Sequence, residues 1–280
     1  MKKYAKPKIT KIDFAMANKY GVQIKKQNIR SQIDGVDVNE LVKKYGSPLF
    51  VFSEQTMTDL YNRFYTSFSS RYSDVEFSWS YKTNYLNEIC KVFHKLGASA
   101  EVVIEFEYQK ARDLGMDGKD IIFNGPYKPK QDLKIAVQEG AKIHIDNLFE
   151  INDLEEIADE LNIKILVAIR VNMDTGIYFL WSRFGFNYEN GDAFDAIERL
   201  YKNDKLYLTG LHTHVGTFIL DANAYRVATT KIMQLKASAE RTFDSVIEYI
   251  DMGGGFASKS NLKGVYQSPD VIVPTPDEYA

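Results

Sequence analysis

The 280-residue sequence contains one cysteine, two tryptophans and no large excess of either charge. Cys90 has no partner for a disulfide within the chain, and no CxxC motif occurs, so we expect it to be a buried apolar residue rather than a nucleophile. The net charge of -3 argues against a nucleic-acid-binding face. The longest apolar run, ILVAIRV, is too short and too charged to span a bilayer, and no signal-peptide core follows the basic start. These absences predict a cytoplasmic protein with a small-molecule partner and with neither a nucleic-acid nor a membrane partner.

Apolar runs typical of strands recur through the middle of the chain. Five of them open near Val75, Ala98, Ile121, Ile143 and Ile165, at a spacing of about 22 residues. Two more, LTGLHTHVG and EYIDMGGG, follow at about twice that spacing. Helical patterns such as NYLNEICKVFHKLG and LFEINDLEEIADEL fill the gaps. Seven strands alternating with helices predict a parallel sheet closed as a TIM (β/α) barrel. A doubly wound open sheet is the alternative, but no reversal signal is present.

The two ends of the chain differ from this repeating part. Residues 1–54 are predicted to form an N-terminal segment, with a short helix at DVNELVKKYG and an apolar strand at PLFVF that has no partner in the sequence. Residues 55–280 are predicted to form the barrel. After DMGGGF the sequence offers only a helix start at TPDEYA, so an eighth strand is missing. We therefore expect a C-terminally truncated chain, with seven of eight barrel strands.

Three strand ends carry residues suited to chemistry. In EFSWSYKTNYL the small, polar face of a strand ends in Lys82, at the face where barrel active sites are built. GLHTHVGT places His212 and His214 on one strand face. The triple glycine at Gly253–Gly255 exposes backbone N–H groups that can hold a phosphate. A lysine for a carbonyl, an imidazole for a ring and a glycine turn for a phosphate together suit pyridoxal phosphate.

From about Gly46 onward the sequence resembles the fold-type III pyridoxal-phosphate decarboxylases, in particular the diaminopimelate decarboxylase family. SYKTN corresponds to the segment whose lysine holds the cofactor, GLHTHVGT is similar to the GxHxHxGS motif, and DMGGGF is similar to the glycine turn. The resemblance implies that Lys82 binds the cofactor as an imine and that His214 stacks on its ring, both as catalytic residues. It also implies cofactor contacts from five further residues: Arg170, Thr217, Gly253, Gly254 and Gly255.

The same resemblance implies an alanine racemase-like barrel and a decarboxylase that converts meso-diaminopimelate to L-lysine in lysine biosynthesis. It implies a homodimer for the full-length protein, with an absent C-terminal β-domain that pairs with the strand at PLFVF. The chain departs from the family at Glu101, where an aspartate is usual, and at Ile104, Glu105 and Phe106, where a serine and two glycines are usual. Because the eighth strand and the β-domain supply further site residues in the family, we expect the chain as written to lack activity.

Other functions stay open at this point. The chain could be a decarboxylase of another amino acid or of a carrier-bound amino acid, or a non-catalytic pyridoxal-phosphate-binding barrel. A metal-dependent hydrolase could use His212 and His214 as a ligand pair. Only His94 and His144 remain to complete such a site, and neither shows a ligand pattern, so no metal site is expected.

Overall fold

The computed structural model describes residues 30–178, 182–260 and 268–280. Its strands, in chain order, are β1 (Gln32–Ile33), β2 (Val36–Asp37), β3 (Ser78–Ser80), β4 (Ser99–Val102), β5 (Ile121–Phe123), β6 (Lys142–Ile145), β7 (Ile165–Asn172), β8 (Phe186–Asn187), β9 (Leu206–Thr213) and β10 (Tyr249–Asp251). Its helices are α1 (Val38–Tyr45), α2 (Glu54–Ser69), α3 (Asn87–Lys95), α4 (Glu105–Asp113), α5 (Lys130–Gln138), α6 (Leu148–Leu161), α7 (Asp192–Tyr201), α8 (Asn223–Phe243), α9 (Pro269–Ile272) and α10 (Pro276–Tyr279).

The chain divides into two compact units. The smaller unit comprises Met1–Ser53 and Lys259–Ile272, and the larger comprises Glu54–Ser258 and Val273–Ala280. In the described part of the smaller unit, β1 and β2 pair as an antiparallel hairpin, and α1 follows directly. All of the residues with which the site is built below belong to the larger unit.

Helix α1 forms where the sequence predicts it, because both of its ends carry strong local signals. The side chain of Asp37 accepts hydrogen bonds from the amides of Asn39 and Glu40, which are otherwise unsatisfied at a helix start. Gly46 ends the helix with φ at +86°, a left-handed conformation that costs a residue without a Cβ little.

The predicted strand at PLFVF has no neighbouring strand among the described residues. No residue from Leu49 to Phe52 belongs to a strand, and the side chain of Phe50 lies 89% exposed. Apolar residues favour a strand only where a neighbouring strand accepts and donates the backbone hydrogen bonds. Within the described residues no segment pairs with this one, as expected from the sequence, so a strand there stays a prediction.

The larger unit is built on one parallel sheet. Its strands lie in the order β10-β9-β7-β6-β5-β4-β3, and every neighbouring pair is parallel. This order follows the chain without a reversal, as in a (β/α) barrel and unlike a doubly wound sheet. The seven predicted strands are therefore confirmed. Among the described strands none joins β10 to β3, so the sheet is a curled half-barrel rather than a closed barrel. The short β8 pairs with β7 outside this path.

Both faces of the central strands are buried, as apolar runs in a parallel sheet require. On one face Phe123, Ile143 and Ile145 are all 0% exposed, and on the other face Ile122 is 8% exposed and Ala168 0% exposed. Helix α6 packs its predicted apolar stripe inward except at its first residue, since Leu148 is half exposed, and Cys90 is buried in α3 as expected. Among the described helices, none combines the length and the apolar character needed to cross a bilayer.

Candidate active site

Lys82 lies just beyond the carboxyl end of β3, and its amine is paired with a buried carboxylate. Its Nζ lies 2.9 and 3.0 Å from the two carboxylate oxygens of Glu101. Glu101 is reached because β3 and β4 pair in parallel with Ser80 opposite Glu101. The hydroxyl of Ser80 donates to the same carboxylate. The Lys82 side chain is 49% exposed, so its amine is accessible to a ligand although it is paired with Glu101.

Glu101 is a site residue that the sequence analysis recorded only as a departure from the family pattern. Its side chain is 10% exposed, and a buried carboxylate is stable only with donors around it. Besides Lys82 and Ser80, the Nδ2 of Asn124 donates to Glu101 Oε1 at 3.3 Å. The signal that could have found this partner was the position of Glu101 on the strand next to the lysine.

His212 lies at the carboxyl end of β9 and connects Asn124 to Asp251. Its Nε2 is 3.0 Å from Asn124 Nδ2, and its Nδ1 is 3.0 Å from Asp251 Oδ2. Because the Glu101 carboxylate only accepts hydrogen bonds, Asn124 faces it with its NH₂ group, and the same group donates to His212 Nε2. Because His212 Nε2 accepts this hydrogen bond, the ring carries a proton on Nδ1, which faces the Asp251 carboxylate.

Asp251 and His144 are two further residues that the sequence analysis did not assign to the site. The Nδ1 of His144 lies 3.7 Å from Asp251 Oδ2, and its Nε2 lies 3.1 Å from the hydroxyl of Tyr249. Burial, with His212 nearby, lowers the pKa of His144 to about 3, so this imidazole is neutral. Burial alone would raise the pKa of Asp251, but His212 at 3.0 Å and the Gly253 amide hold this pKa below its ordinary value.

One ligand atom from each of His144, His212 and Asp251 lies within 4.8 Å of the others, a spacing that a metal ion could use. This group differs from the His212 and His214 pair weighed from the sequence, because His144 takes the place of His214. The hydrogen bonds through Asn124 put a proton on His212 Nδ1, and a metal ion would have to displace it. The donor pattern therefore favours a proton, rather than a metal ion, between His212 and the Asp251 carboxylate.

His214 follows β9 directly, and Arg170 and Lys82 are the cationic groups that affect its pKa. Burial, reinforced by the neighbouring His212, Arg170 and Lys82, lowers the pKa of His214 to about 3. The imidazole is therefore neutral at physiological pH. His214 lies against the glycine turn, since a Cβ on Gly253 would lie 3.0 Å from His214 Nδ1.

Arg170 lies on β7 with its guanidinium held on two sides. Its Nη1 is 3.4 Å from Asp146 Oδ1, and its Cζ lies 4.9 Å from the centre of the Phe184 ring. Burial lowers the pKa of Arg170 from its ordinary value, but a guanidinium stays charged under all relevant conditions. Gly185 permits this packing, since a Cβ there would lie 2.5 Å from the Arg170 carbonyl oxygen.

The glycine turn after β10 adjoins the turn after β9. Gly253 and Gly255 have φ at +64° and +99°, and a Cβ on Gly255 would lie 2.1 Å from the carbonyl oxygen of Gly216. The close approach of Gly255 to Gly216 brings the segment of Thr217 beside the glycine turn. A Cβ on Gly254 would meet no atom within 4 Å. The fold thus requires glycine at Gly253 and Gly255, whereas Gly254 leaves a stretch of backbone open on one side.

These residues fit pyridoxal phosphate. A half-exposed primary amine suits the aldehyde, and an open glycine backbone suits a phosphate, which accepts hydrogen bonds from N–H groups. The neutral imidazole of His214 lies against this glycine turn. An unbroken series of polar contacts, from Lys82 through Glu101, Asn124, His212 and Asp251 to the Gly253 amide, joins the two ends.

A half-barrel of sequential parallel strands, with an amine and a phosphate-type turn at the carboxyl ends of its strands, is the architecture of a pyridoxal-phosphate-binding barrel domain. Comparison with known families agrees. The model of the family described as "Pyridoxal-dependent decarboxylase, pyridoxal binding domain" matches residues 58–268, and the chain belongs to that family.

The curated relatives are more specific. The chain is 30% identical over 260 residues to the diaminopimelate decarboxylase of Aquifex aeolicus, covering 89% of the chain and 58% of the relative. It is 28% identical over 263 residues to the diaminopimelate decarboxylase of Methanocaldococcus jannaschii, with the same two coverages. The chain thus spans about 58% of the length of these relatives.

Solved structures show the same similarity. The crystal structure of a diaminopimelate decarboxylase from M. jannaschii matches with a TM-score of 0.78 at 27% identity, over 89% of the chain and 58% of that structure. A lysine/ornithine decarboxylase from Vibrio vulnificus, solved with putrescine, matches with a TM-score of 0.70 at 20% identity, over 86% of the chain and 60% of that structure. At that identity the second similarity shows the fold alone.

Proposed function

We propose that the chain is the pyridoxal-phosphate-binding part of an amino-acid decarboxylase that converts meso-diaminopimelate to L-lysine and carbon dioxide. The observation that carries the proposal is the Lys82 amine, paired with the buried Glu101 at the strand edge that also holds the glycine turn. The names of the relatives support the substrate. In this proposal the full-length protein is a cytoplasmic homodimer.

Lys82 is the proposed attachment point for the cofactor. An amine attacks an aldehyde carbon only when its nitrogen is unprotonated, so Lys82 must first lose a proton. Glu101 lies 2.9 Å from Nζ and is placed to accept that proton. The Lys82 amine would also be placed to return a proton to the substrate carbon that loses the carboxylate.

His214 and Arg170 are proposed to contact the bound cofactor. A neutral, half-buried imidazole offers a flat face to a pyridine ring and excludes water from it. The ion pair with Asp146 and the stacking on the Phe184 ring hold the Arg170 guanidinium in one position. Thr217, Gly254 and Gly255 are the proposed phosphate ligands, and Gly253, whose amide donates to Asp251, is proposed to shape the same phosphate turn. When bound, the cofactor supplies an electron sink for the bonding electrons that remain when the carboxylate leaves.

The test is a protection experiment on the cofactor-loaded chain. Borohydride reduction fixes the cofactor to the amine that holds it, so a substrate amine that displaces Lys82 removes the label from the Lys82 peptide. We expect meso-diaminopimelate at a given concentration to remove more label than L-lysine, L-ornithine or L-arginine. Carbon dioxide release is measured in the same samples.

The outcome separates the competing functions. If another amino acid displaces Lys82 better than meso-diaminopimelate, the proposed substrate is wrong. If no amino acid displaces it while the cofactor is bound, the chain acts as a non-catalytic cofactor-binding protein. The matched control is Lys110→Ala, a surface lysine over the ring of Tyr85, which should change neither the label nor the protection.

A further inference from the structure

The Asp251 carboxylate contacts three separate parts of the site. Its Oδ1 accepts a hydrogen bond of 2.7 Å from the amide of Gly253, and its Oδ2 faces His212 at 3.0 Å and His144 at 3.7 Å. The two histidines belong to β9 and β6, whereas Asp251 ends β10. One carboxylate thus joins the first glycine of the turn to two other strands of the sheet.

Gly253 is held in a conformation that it would not keep without a partner. Its φ is +64°, and a Cβ there would lie 2.7 Å from the carbonyl oxygen of Thr213, so the backbone passes close to the end of β9. Glycine has more conformational freedom than any other residue, and it loses that freedom only when contacts fix it. The hydrogen bond to Asp251 is the side-chain contact that fixes its amide.

The histidines keep this carboxylate charged and in one orientation. His212 faces it with an Nδ1 proton whose position is set by Asn124 on the other side of the ring. His144 is fully buried, and its Nε2 is engaged by the Tyr249 hydroxyl. Gly210 leaves the space for this arrangement, because a Cβ there would lie 2.2 Å from the Tyr249 ring.

We propose that Asp251 is a positioning residue that holds the glycine turn in the shape that binds the cofactor phosphate, with His212 and His144 supporting its carboxylate. The inference rests on the proposed function, since it requires the turn to be the phosphate site. Asp251 acts through the Gly253 amide and does not touch the phosphate itself. Loss of the carboxylate frees Gly253, so the open backbone at Gly254 is no longer preorganised.

The experiment compares two ligands that differ only in the phosphate. Calorimetric titration gives the Kd of pyridoxal phosphate and of pyridoxal for the parent chain, Asp251→Ala, Asp251→Asn and the surface control Asp113→Ala. We expect Asp251→Ala to weaken binding of pyridoxal phosphate by about tenfold or more, because a hydrogen bond to a charged group is lost, and to leave pyridoxal binding unchanged. Asp251→Asn keeps an oxygen for the Gly253 amide but loses the charge, so its affinity for pyridoxal phosphate should fall only several-fold, less than in Asp251→Ala, with pyridoxal binding unchanged.

Each result decides between the alternatives. Equal loss of both ligands in Asp251→Ala, or no loss of either, would overturn the positioning role. If the alanine variant fails to fold by far-UV circular dichroism, Asp251→Asn carries the test alone. A loss of several-fold confined to pyridoxal phosphate then supports the role, and an unchanged ratio of the two Kd values overturns it. Failure of the proposed function gives a different result, namely a parent chain that binds neither ligand.

Discussion

Two adjacent glycines of the turn are predicted to have different roles, one in binding the phosphate and the other in stabilising the fold. The change is Gly254→Ala, with Gly255→Ala as its pair. At Gly254 the new Cβ meets no atom within 4 Å, so the folded state accepts it. At Gly255 the Cβ would lie 2.1 Å from the Gly216 carbonyl oxygen, and φ is +99°. Only the second change should disturb the fold.

The magnitudes follow from these contacts. Replacing a glycine by alanine at an unstrained position changes the free energy of unfolding by about 0.4–1 kcal/mol in favour of the folded state. At Gly255 a positive φ costs about 1–2 kcal/mol and the overpacking about 1–3 kcal/mol more. We therefore expect Gly255→Ala to lose about 2–5 kcal/mol, a large part of the stability of an ordinary domain.

Gly254→Ala should instead change the affinity for pyridoxal phosphate. Gly254→Ala keeps its stability but places a methyl group on the open side of the turn, where the phosphate would approach, so its affinity for pyridoxal phosphate should fall by about tenfold. Urea unfolding followed by circular dichroism gives the stability, and calorimetric titration gives the affinity. A Gly254→Ala chain that binds pyridoxal phosphate as tightly as the parent would refute the assignment of this turn as the phosphate site.

Three further predictions concern the buried groups around the site, and each is measured by urea unfolding. In the parent chain the fully buried Lys128 amine lies 2.8 Å from Glu150 Oε1. Glu150→Gln removes this counter-ion and should lower the free energy of unfolding by about 3–5 kcal/mol, whereas a loss below about 1 kcal/mol would contradict a charged pair. The pKa of His144 is about 3 when folded against 6.5 ordinarily, so the unfolded chain binds the extra proton and stability is lost as the pH falls from 6.5 toward 3. Between pH 6.5 and pH 5 the parent chain should lose about 2 kcal/mol of unfolding free energy that His144→Gln does not lose. An equal pH dependence of stability in the two chains would show that His144 is not a buried neutral imidazole. Gly210→Ala should cost about 1–3 kcal/mol by forcing the Tyr249 ring aside, and full stability would show that the ring moves freely.

The sheet could be predicted because its signals are local and repeated. Apolar runs buried on both faces recur at regular intervals, and each helix between them has a one-sided apolar pattern, as Ile151, Leu154 and Ile157 show in α6. The strand predicted at Leu49–Phe52 stays a prediction for a physical reason of another kind. Its composition is right for a strand, but a strand also needs a neighbour, and composition carries no information about one.

The site could be predicted only in part for a similar reason. Lys82 and the glycine turn stand out because each follows a strand in a recognisable motif. His144 and Asp251 do not, since each is an ordinary polar residue at a strand end, and their contact depends on how β6, β9 and β10 are placed in the sheet. Glu101 is intermediate. Its position on the strand beside Lys82 was visible, but the ion pair follows from the register of β3 and β4.

The central claim is that Lys82 is the lysine that binds pyridoxal phosphate, and borohydride reduction followed by peptide mapping tests it most directly. The chain is loaded with the cofactor, reduced, digested and analysed by mass spectrometry, with folding checked by circular dichroism. The account predicts that the label is recovered on the peptide that contains Lys82 and is lost in Lys82→Ala. Recovery of the label on another lysine such as Lys128, or on no lysine of a folded chain, would contradict it.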